Sequence, residues 1–271
     1  MQSWLDGVPA DALGFKSRGL AYGDGVFETL AVRAGQPLLL ERHMARLSEG
    51  CKRLGIVIDR SLLRSELVDY AARLGEGVLK LIVTRGDSQR GYAADPSTPP
   101  RRILQGSALP SYPPANAEHG VHLFSCATRL AEQPALAGMK HLNRLEQVLA
   151  RNEWSDPRYA EGLMLDVSGR VIEGVYSNLF LVRDGVLLTP DLQRCGVAGV
   201  MRAELLAQAA ALGIANQVLE LWPADLAHAD EVFVCNSVYG IWPVLTCGSL
   251  NWSAGPLTRK LQGIARMLLD A

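Results

Sequence analysis

The run GMKHLNRLE at positions 138–146 puts Lys140 just ahead of a stretch whose apolar spacing predicts a helix over 143–153. A lysine that enters a helix N-terminus is electrostatically disfavoured, because the helix dipole presents its positive end there. We therefore expect something other than solvation to hold this side chain. A Schiff base, which consumes the charged amine, is one such arrangement. Lys140 is accordingly our first candidate for a reactive residue, although most lysines are solvated surface groups.

The composition indicates a compact soluble protein. The chain has 271 residues, 48% of them hydrophobic, with a formal net charge of −1. This balance argues against a nucleic-acid partner, which usually requires a basic face. Because the sequence has no apolar run of membrane-spanning length and no signal peptide at its start, we expect a cytoplasmic protein without a membrane partner. The five scattered cysteines are expected to be reduced and mostly buried, and the dispersed histidines predict no metal site.

The hydrophobic periodicity predicts an α+β fold. The proline-rich stretch PSYPPAN at 110–116 is the best linker candidate, because adjacent prolines stiffen the chain and exclude a helix. The predicted organisation is a small N-terminal α/β domain (1–112), a linker (113–118) and a larger strand-rich C-terminal domain (119–271) that carries Lys140. The predicted strands include 25–32, 38–40, 78–84, 101–109 and 121–127, and the predicted helices include 44–54, 63–74, 143–153, 199–212 and 257–269.

Three further features have chemistry that suits a charged cofactor. Glu173 lies in VIEGVYSN at 171–178, between apolar segments where a carboxylate is costly unless paired, and a protonated pyridine nitrogen is a suitable partner. Arg46 lies next to apolar helix positions and is suited to holding a phosphate. The glycines of GVAGVMR at 196–202 precede a helix, whose exposed N–H groups form an anion site. Each feature also has a plainer explanation: a strand-end glutamate, a solvated arginine and an ordinary glycine-rich helix start.

Taken together, these features resemble the pyridoxal 5'-phosphate (PLP) enzymes of fold type IV. The resemblance begins at RGLAYGDGVFET (18–29) and continues through the motif of His43 and Arg46 and through the Lys140 run. It ends with the strand 173–180 and the helix start 199–202, so that it covers nearly the whole chain. It implies the fold type IV architecture, a PLP cofactor and a homodimer in which loops of one subunit border the pocket of the other.

The resemblance also implies a role for each matched residue. Lys140 is the residue that binds the cofactor covalently and afterwards moves the α-proton of the substrate. Glu173 is the partner of the pyridine nitrogen. The phosphate is held by Arg46, by the backbone amides of Val200 and Met201, and by either Asn236 or Ser237.

Two loop residues correspond to positions that reach toward the substrate in this family. Arg90 suits a substrate carboxylate, and the neighbouring subunit is the expected location of that pocket. Tyr92 is the second of these residues, but an aromatic side chain that packs within its own loop explains it equally well. Both residues are therefore candidate contacts for a small-molecule substrate.

Within the family, the run KHLNRLEQVL at 140–149 is most similar to aminodeoxychorismate lyases, as are the segments 84–92 and 234–237. The serine run that follows the glutamate in D-amino-acid aminotransferases is replaced here by VYS at 175–177. The resemblance thus implies a lyase that converts 4-amino-4-deoxychorismate to 4-aminobenzoate and pyruvate in folate biosynthesis. The alternatives are a D-amino-acid or branched-chain aminotransferase of the same fold and a non-catalytic PLP-binding relative.

Overall fold

A computed structural model describes residues 2–89 and 91–270, which divide into two compact units. The first unit comprises residues 2–110, 139–143 and 269–270, and the second comprises 111–138 and 144–268. Lys140, which the sequence analysis assigns to the larger C-terminal domain, therefore belongs to the first unit. The fold class is α+β, as predicted, and none of the helices in the described part of the chain is long and apolar enough to cross a bilayer.

The first unit is an antiparallel sheet with two long helices. Its strand order is β2-β1-β6-β5-β3-β4, and β3 pairs with β5 from Gly25↔Thr84 to Val32↔Gly77. Its elements are β1 (Trp4–Leu5), β2 (Val8–Pro9), α1 (Arg18–Tyr22), β3 (Gly25–Arg33), β4 (Gln36–Pro37), α2 (Leu40–Leu54), α3 (Arg60–Leu74), β5 (Gly77–Thr84) and β6 (Arg101–Ser107).

Helices α2 and α3 confirm the predicted amphipathic patterns. Each helix buries the apolar residues that recur at spacings of three and four, and each ends at a glycine. The predicted strand at 38–40 is wrong, because Leu39 has a φ of 53° as the N-cap of α2 and Leu40 is already helical. A run of three leucines has no periodicity that distinguishes a strand from a helix start. The buried apolar residues of the two helices are Met44, Leu47 and Cys51 in α2 and Leu63, Leu67, Tyr70 and Ala71 in α3.

The second unit contains a larger mixed sheet and several helices. Its strand order is β12-β11-β10-β13-β14-β7-β8-β9, and β15 pairs with β14. Its elements are α4 (Ala115–Glu118), β7 (Val121–Leu130), α5 (Leu145–Arg151), β8 (Tyr159–Asp166), β9 (Val171–Gly174), β10 (Asn178–Arg183), β11 (Val186–Pro190), α6 (Val200–Ala211), β12 (Asn216–Leu219), α7 (Pro223–Ala227), β13 (Glu231–Asn236), β14 (Gly240–Cys247), β15 (Leu250–Asn251) and α8 (Pro256–Leu269).

The sheet of the second unit closes into a ring. Strand β9 pairs with β8 on one side and also with β10, through the single pair Glu173↔Asn178. The path β10-β13-β14-β7-β8-β9 therefore returns to β10. Closing a sheet removes its free edges, and it buries β10 on both faces, with Leu179 and Leu181 in one apolar cluster and Phe180 stacked on Phe233 at 5.0 Å.

The predicted linker contains one turn of helix that the sequence analysis excluded. Helix α4 begins at Ala115, directly after Pro114, and the division between the two units falls between Pro110 and Ser111. A proline blocks helix on its N-terminal side, but it is tolerated at the start of a helix because the first N–H groups need no intrahelical acceptor. The five cysteines are free and buried, as predicted.

Candidate active site

Lys140 lies on an extended segment that pairs with β3. The Phe27 N–H donates to the Lys140 carbonyl at 2.9 Å, and the Leu142 N–H donates to the Gly25 carbonyl at 3.0 Å. Helix α5 begins only at Leu145, so the expectation that Lys140 enters a helix N-terminus is wrong. Its ammonium group instead lies 4.5 Å from the centre of the Phe27 ring, whose negative face attracts a cation. Backbone pairing and this ring hold the half-buried lysine.

Arg46 is held by a buried ion pair within the first unit. Its Nε donates to Oε1 of Glu28 at 2.8 Å and its Nη2 donates to Oε2 at 2.5 Å. His43 Nδ1 lies 2.6 Å from the same Oε2. Strand β3 brings Glu28, and one face of α2 brings His43 and Arg46, to this cluster. The fork of two parallel hydrogen bonds fixes the plane of the guanidinium group.

Burial and the charge of Arg46 determine the protonation states of Glu28 and His43. Burial by itself raises the pKa of Glu28, but the opposing effects of the Arg46 guanidinium and of His43 are together larger, and they bring the pKa down to about 2. Burial lowers the pKa of His43, and the positive charges of Arg46 and Lys140 act in the same direction against the raising effect of Glu28. The cluster therefore consists of an ionised carboxylate, a neutral imidazole and a guanidinium cation at pH 7.

Glu173 is a buried carboxylate in the second unit. It is 3% exposed, and its Oε2 accepts a hydrogen bond from the Val197 N–H at 2.8 Å. Arg144 interacts electrostatically with this carboxylate: burial lowers the pKa of Arg144, and the negative charges of Glu173 and Glu146 offset part of that lowering. The carboxylate predicted to be costly here unless paired is buried and hydrogen-bonded in the structure.

The start of α6 has the features of an anion site. Its N-cap is Gly199, no side chain caps it, and its first turn contains no acidic residue, so the backbone amides of Val200 and Met201 belong to an uncapped N-terminus. Arg202 fixes this turn to the sheet, because its Nη2 donates to the Pro190 carbonyl at 2.9 Å. The predicted helix over 199–212 is confirmed as Val200–Ala211.

Asn236 shapes the hairpin between β13 and β14. Its Oδ1 accepts from the N–H groups of Val238 at 2.9 Å and Tyr239 at 3.0 Å, and its Nδ2 donates to the Tyr176 carbonyl at 3.4 Å. Both ends of this side chain therefore have a structural role. Ser237 follows it at the tip of the same hairpin.

The two predicted substrate residues differ in what the structure says of them. Arg90 lies outside the described residues. Tyr92 is 87% exposed, and its ring lies 5.5 Å from that of Tyr22, while its carbonyl accepts from Nη2 of Arg18 at 2.8 Å. Its exposure suits a contact with a substrate or with a second chain.

Two of the buried carboxylates that were not predicted from the sequence bear on the candidate site. Glu28 is 1% exposed and Glu161 is fully buried. Each stands next to or within an apolar strand, VFETLAV for Glu28 and AEGLMLD for Glu161. The signal that drew attention to Glu173, a carboxylate among apolar strand residues, was therefore present at both positions.

The chain has the fold of the fold type IV enzymes. The chain belongs to the class IV aminotransferase family, because residues 25–247 match the family described as "Amino-transferase class IV". It is 36% identical to an aminodeoxychorismate lyase of Vibrio harveyi, over 96% of this chain and 98% of the relative. It is 31% identical to a putative branched-chain-amino-acid aminotransferase of Methanocaldococcus jannaschii, over 97% and 94% respectively.

Among solved structures, the chain is similar to a 4-amino-4-deoxychorismate lyase from Pseudomonas aeruginosa. The identity is 62% and the TM-score is 0.98, over 99% of this chain and 100% of that chain. A branched-chain amino acid aminotransferase from Escherichia coli has the same fold, with 25% identity and a TM-score of 0.85 over 99% and 94%. The family and the fold predicted by the resemblance are thereby confirmed.

The buried ion pair generates a stability prediction. Glu28→Gln removes the charge that neutralises Arg46, and we expect the free energy of unfolding at pH 7 to fall by about 3 kcal/mol, as is typical when one partner of a buried pair is lost. Because the folded pKa of Glu28 is about 2 against an ordinary 4.5, its contribution is fully present above pH 4.5 and is lost as the pH falls toward 2. Urea unfolding between pH 2 and pH 7 measures both effects.

The matched control is Glu66→Gln. Glu66 accepts two hydrogen bonds from Arg102, at 2.8 and 2.9 Å, elsewhere in the same unit. That variant should be less stable than the wild type at pH 7. Its stability should still fall between pH 4.5 and pH 2, because Glu28 is intact. An identical acid dependence in the wild type and in Glu28→Gln would contradict the assignment.

Proposed function

We propose that the chain is a PLP-dependent lyase, a cytoplasmic homodimer that converts 4-amino-4-deoxychorismate to 4-aminobenzoate and pyruvate in folate biosynthesis. The likeness to the Pseudomonas aeruginosa lyase, 62% identical over 99% of this chain, carries the proposal. The Vibrio harveyi relative is also named as an aminodeoxychorismate lyase, and the match covers 96% of this chain and 98% of that relative. The run KHLNRLEQVL at 140–149, which the sequence analysis relates to the lyases, supports the same reaction.

The described residues fit the proposed cofactor in chemistry. Glu173 is a buried carboxylate of the kind that pairs with a pyridinium nitrogen, and Val197 holds one of its oxygens. The uncapped N-terminus of α6 supplies amides for a phosphate, and Arg46 supplies a guanidinium whose plane Glu28 fixes.

Asn236 and Ser237 remain the candidates for a further phosphate contact. We assign this role to Ser237. The Oδ1 of Asn236 accepts from two N–H groups of its own hairpin and its Nδ2 donates to the Tyr176 carbonyl, so this side chain has a structural role, and the hydroxyl of Ser237 is of a kind that can donate to a phosphate. Arg90 and Tyr92 are our proposed substrate contacts, and the exposure of Tyr92 supports a contact outside its own loop.

The proposed reaction requires one proton to move. When bound, PLP supplies an electron sink that acidifies the carbon bearing the substrate amine. Lys140 removes the proton from that carbon, the ether bond to the enolpyruvyl group breaks, and the ring becomes aromatic. Lys140 then returns the proton to the departing enolpyruvyl group, which leaves as pyruvate, so that all atoms of the substrate are found in the two products. Aromatisation supplies the thermodynamic driving force.

The first experiment tests the covalent role of Lys140. We expect the purified protein, loaded with PLP, to have a visible absorbance that borohydride abolishes, and Lys140→Ala to lack both the absorbance and turnover. Lys80→Ala is the matched control, because the Lys80 ammonium also lies over the Phe27 ring, at 5.4 Å. Wild-type turnover in Lys140→Ala would refute the proposed function, whereas Lys80→Ala should retain absorbance and activity.

A second experiment separates the lyase from a transaminase. The wild type is supplied with 4-amino-4-deoxychorismate, and fluorescent 4-aminobenzoate is measured. A parallel reaction contains D-alanine and 2-oxoglutarate, because D-alanine aminotransferases are among the relatives. We expect 4-aminobenzoate and pyruvate in equal amounts in the first reaction. Pyruvate from D-alanine at a higher rate than any 4-aminobenzoate would instead assign the chain to the transaminases.

An apolar face of α5 supports the homodimer. Leu145, Val148 and Leu149 recur at the spacing of one helix face and are 76%, 50% and 59% exposed. Exposed apolar patches of this kind mark sites of association. Helix α5 follows the Lys140 segment directly in the chain. The proposed interface residues are therefore close in sequence to the proposed reactive residue.

Leu149→Arg tests this interface. We expect the dissociation constant of the dimer, measured by sedimentation, to rise about 100-fold, because burying an unpaired charge is costly. Leu62→Arg is the control, since Leu62 is an exposed leucine of α3 with 45% exposure. A dimer unchanged by Leu149→Arg, or one equally weakened by Leu62→Arg, would exclude this face.

A further inference from the structure

Glu161 is a fully buried carboxylate that accepts hydrogen bonds mainly from one turn, residues 174–177. Its Oε1 accepts from the N–H groups of Gly162 at 2.8 Å and Val175 at 3.0 Å. Its Oε2 accepts from the Ser177 hydroxyl at 2.7 Å and from the Tyr176 N–H at 3.3 Å. All of these contacts apart from that with the adjacent residue go to the turn 174–177, which joins β9 to β10.

This turn is built around the carboxylate. A Cβ added at Gly174 would lie 2.2 Å from the Ser177 hydroxyl and 3.0 Å from Oε2 of Glu161, so that only glycine fits. The Gly174 N–H donates to the Ser177 carbonyl at 2.8 Å, and the Val175 N–H donates to the Gly162 carbonyl at 3.0 Å. The turn therefore closes on itself and is fixed to β8 at the position of Glu161.

The turn 174–177 also fixes the two residues that close the ring of strands. Glu173 and Asn178 flank it and form the pair between β9 and β10. Both side chains hold Val197: its N–H donates to Oε2 of Glu173 and its carbonyl accepts from Nδ2 of Asn178, each at 2.8 Å. A Cβ at Gly199 would lie 1.8 Å from Oδ1 of Asn178, so the approach to α6 packs directly on this amide.

Burying the charged form of Glu161 costs free energy, and the need to fill space in the core does not by itself account for a carboxylate at this position. Burial raises the pKa of Glu161 to about 7, although Ser177 and the backbone N–H groups act to lower it. An apolar side chain of similar size would fill the same space without that cost. What a carboxylate adds is a set of acceptors that holds several N–H groups of one turn in a single arrangement.

We propose that Glu161 is a positioning residue, which clamps the turn 174–177 and thereby fixes the carboxylate of Glu173 and the start of α6. Its effect passes through Glu173, Asn178 and Val197. The inference rests on the proposed function in one respect, since Glu173 and the amides of α6 are the proposed cofactor contacts. The clamp itself is defined by contacts within the second unit.

Glu161→Gln tests the clamp with little change in size. Its NH₂ group cannot accept, so in either orientation of the amide at least one backbone N–H loses the oxygen of residue 161 as an acceptor: Gly162 and Val175 in one orientation, and Tyr176 in the other. We expect PLP to be lost from the loaded variant about tenfold faster than from the wild type on dilution, the size of effect that one unsatisfied buried donor produces. We also expect faster amide hydrogen exchange in peptides covering 171–178 and 196–201.

Glu231→Gln is the matched control. Glu231 is a buried carboxylate of the same sheet, and it accepts from the N–H groups of Leu257 at 3.1 Å and Thr258 at 2.7 Å at the start of α8. It should lower stability and yet leave cofactor loss and exchange at 171–178 as in the wild type. Wild-type retention of PLP by Glu161→Gln, or equal loss from both variants, would overturn the proposal.

Ser177→Ala decides the question if Glu161→Gln fails to fold. It removes only the hydroxyl that donates to Oε2, and we expect a smaller change in the same direction in both measurements. Unchanged exchange at 171–178 in Ser177→Ala would overturn the proposal. A wild type without a borohydride-sensitive absorbance would refute the proposed function, whereas the exchange measurements would still test the clamp.

Discussion

The pair between Glu173 and Asn178 is the constraint on which the second unit depends. It is the single register position that joins β9 to β10, and it turns a long open path of strands into a ring. A closed sheet has a fixed order and fixed tilt, so residues at the closure have little freedom. The same two side chains hold Val197 just ahead of α6. Ring closure and the geometry of the candidate cofactor groups in this unit are therefore one structural feature.

Two buried carboxylates show how the surroundings of a charge determine what it does. Glu28 faces a guanidinium, and its pKa is lowered to about 2, so it is a permanent anion that orients Arg46. Glu161 faces only hydrogen-bond donors without net charge, and burial raises its pKa to about 7. A full positive charge offsets the desolvation of a carboxylate, whereas neutral N–H and O–H dipoles offset it only in part. The first carboxylate orients a side chain, and the second orients backbone.

The sequence predicted the elements with strong periodicity and missed the contacts between distant segments. Helices α2 and α3 and strands β3 and β5 follow patterns that neighbouring residues determine, and they were predicted within a few residues. Lys140 was identified for a wrong physical reason: it pairs with β3 over 100 residues earlier in the chain, which no local pattern contains. The roles of Glu28 and Glu161 were missed because their partners lie 14 to 18 residues away, beyond the span of a local periodic pattern. The family resemblance succeeded because it reads a whole set of positions together.

Main-chain hydrogen bonds hold two of the candidate cofactor residues, whereas the candidate substrate residue Tyr92 lies on an exposed loop. The segment of Lys140 is held by backbone hydrogen bonds to β3, and the carboxylate of Glu173 accepts a hydrogen bond from the backbone N–H of Val197, so the main chain takes part in positioning both residues. Loop residues such as Tyr92, by contrast, are exposed and have few constraints. Relatives named as a lyase, a putative branched-chain-amino-acid aminotransferase and a D-alanine aminotransferase match this chain over 96%, 97% and 93% of its length. Because similar chains carry different names on one fold, we expect the choice of reaction to depend on individual side chains more than on the fold.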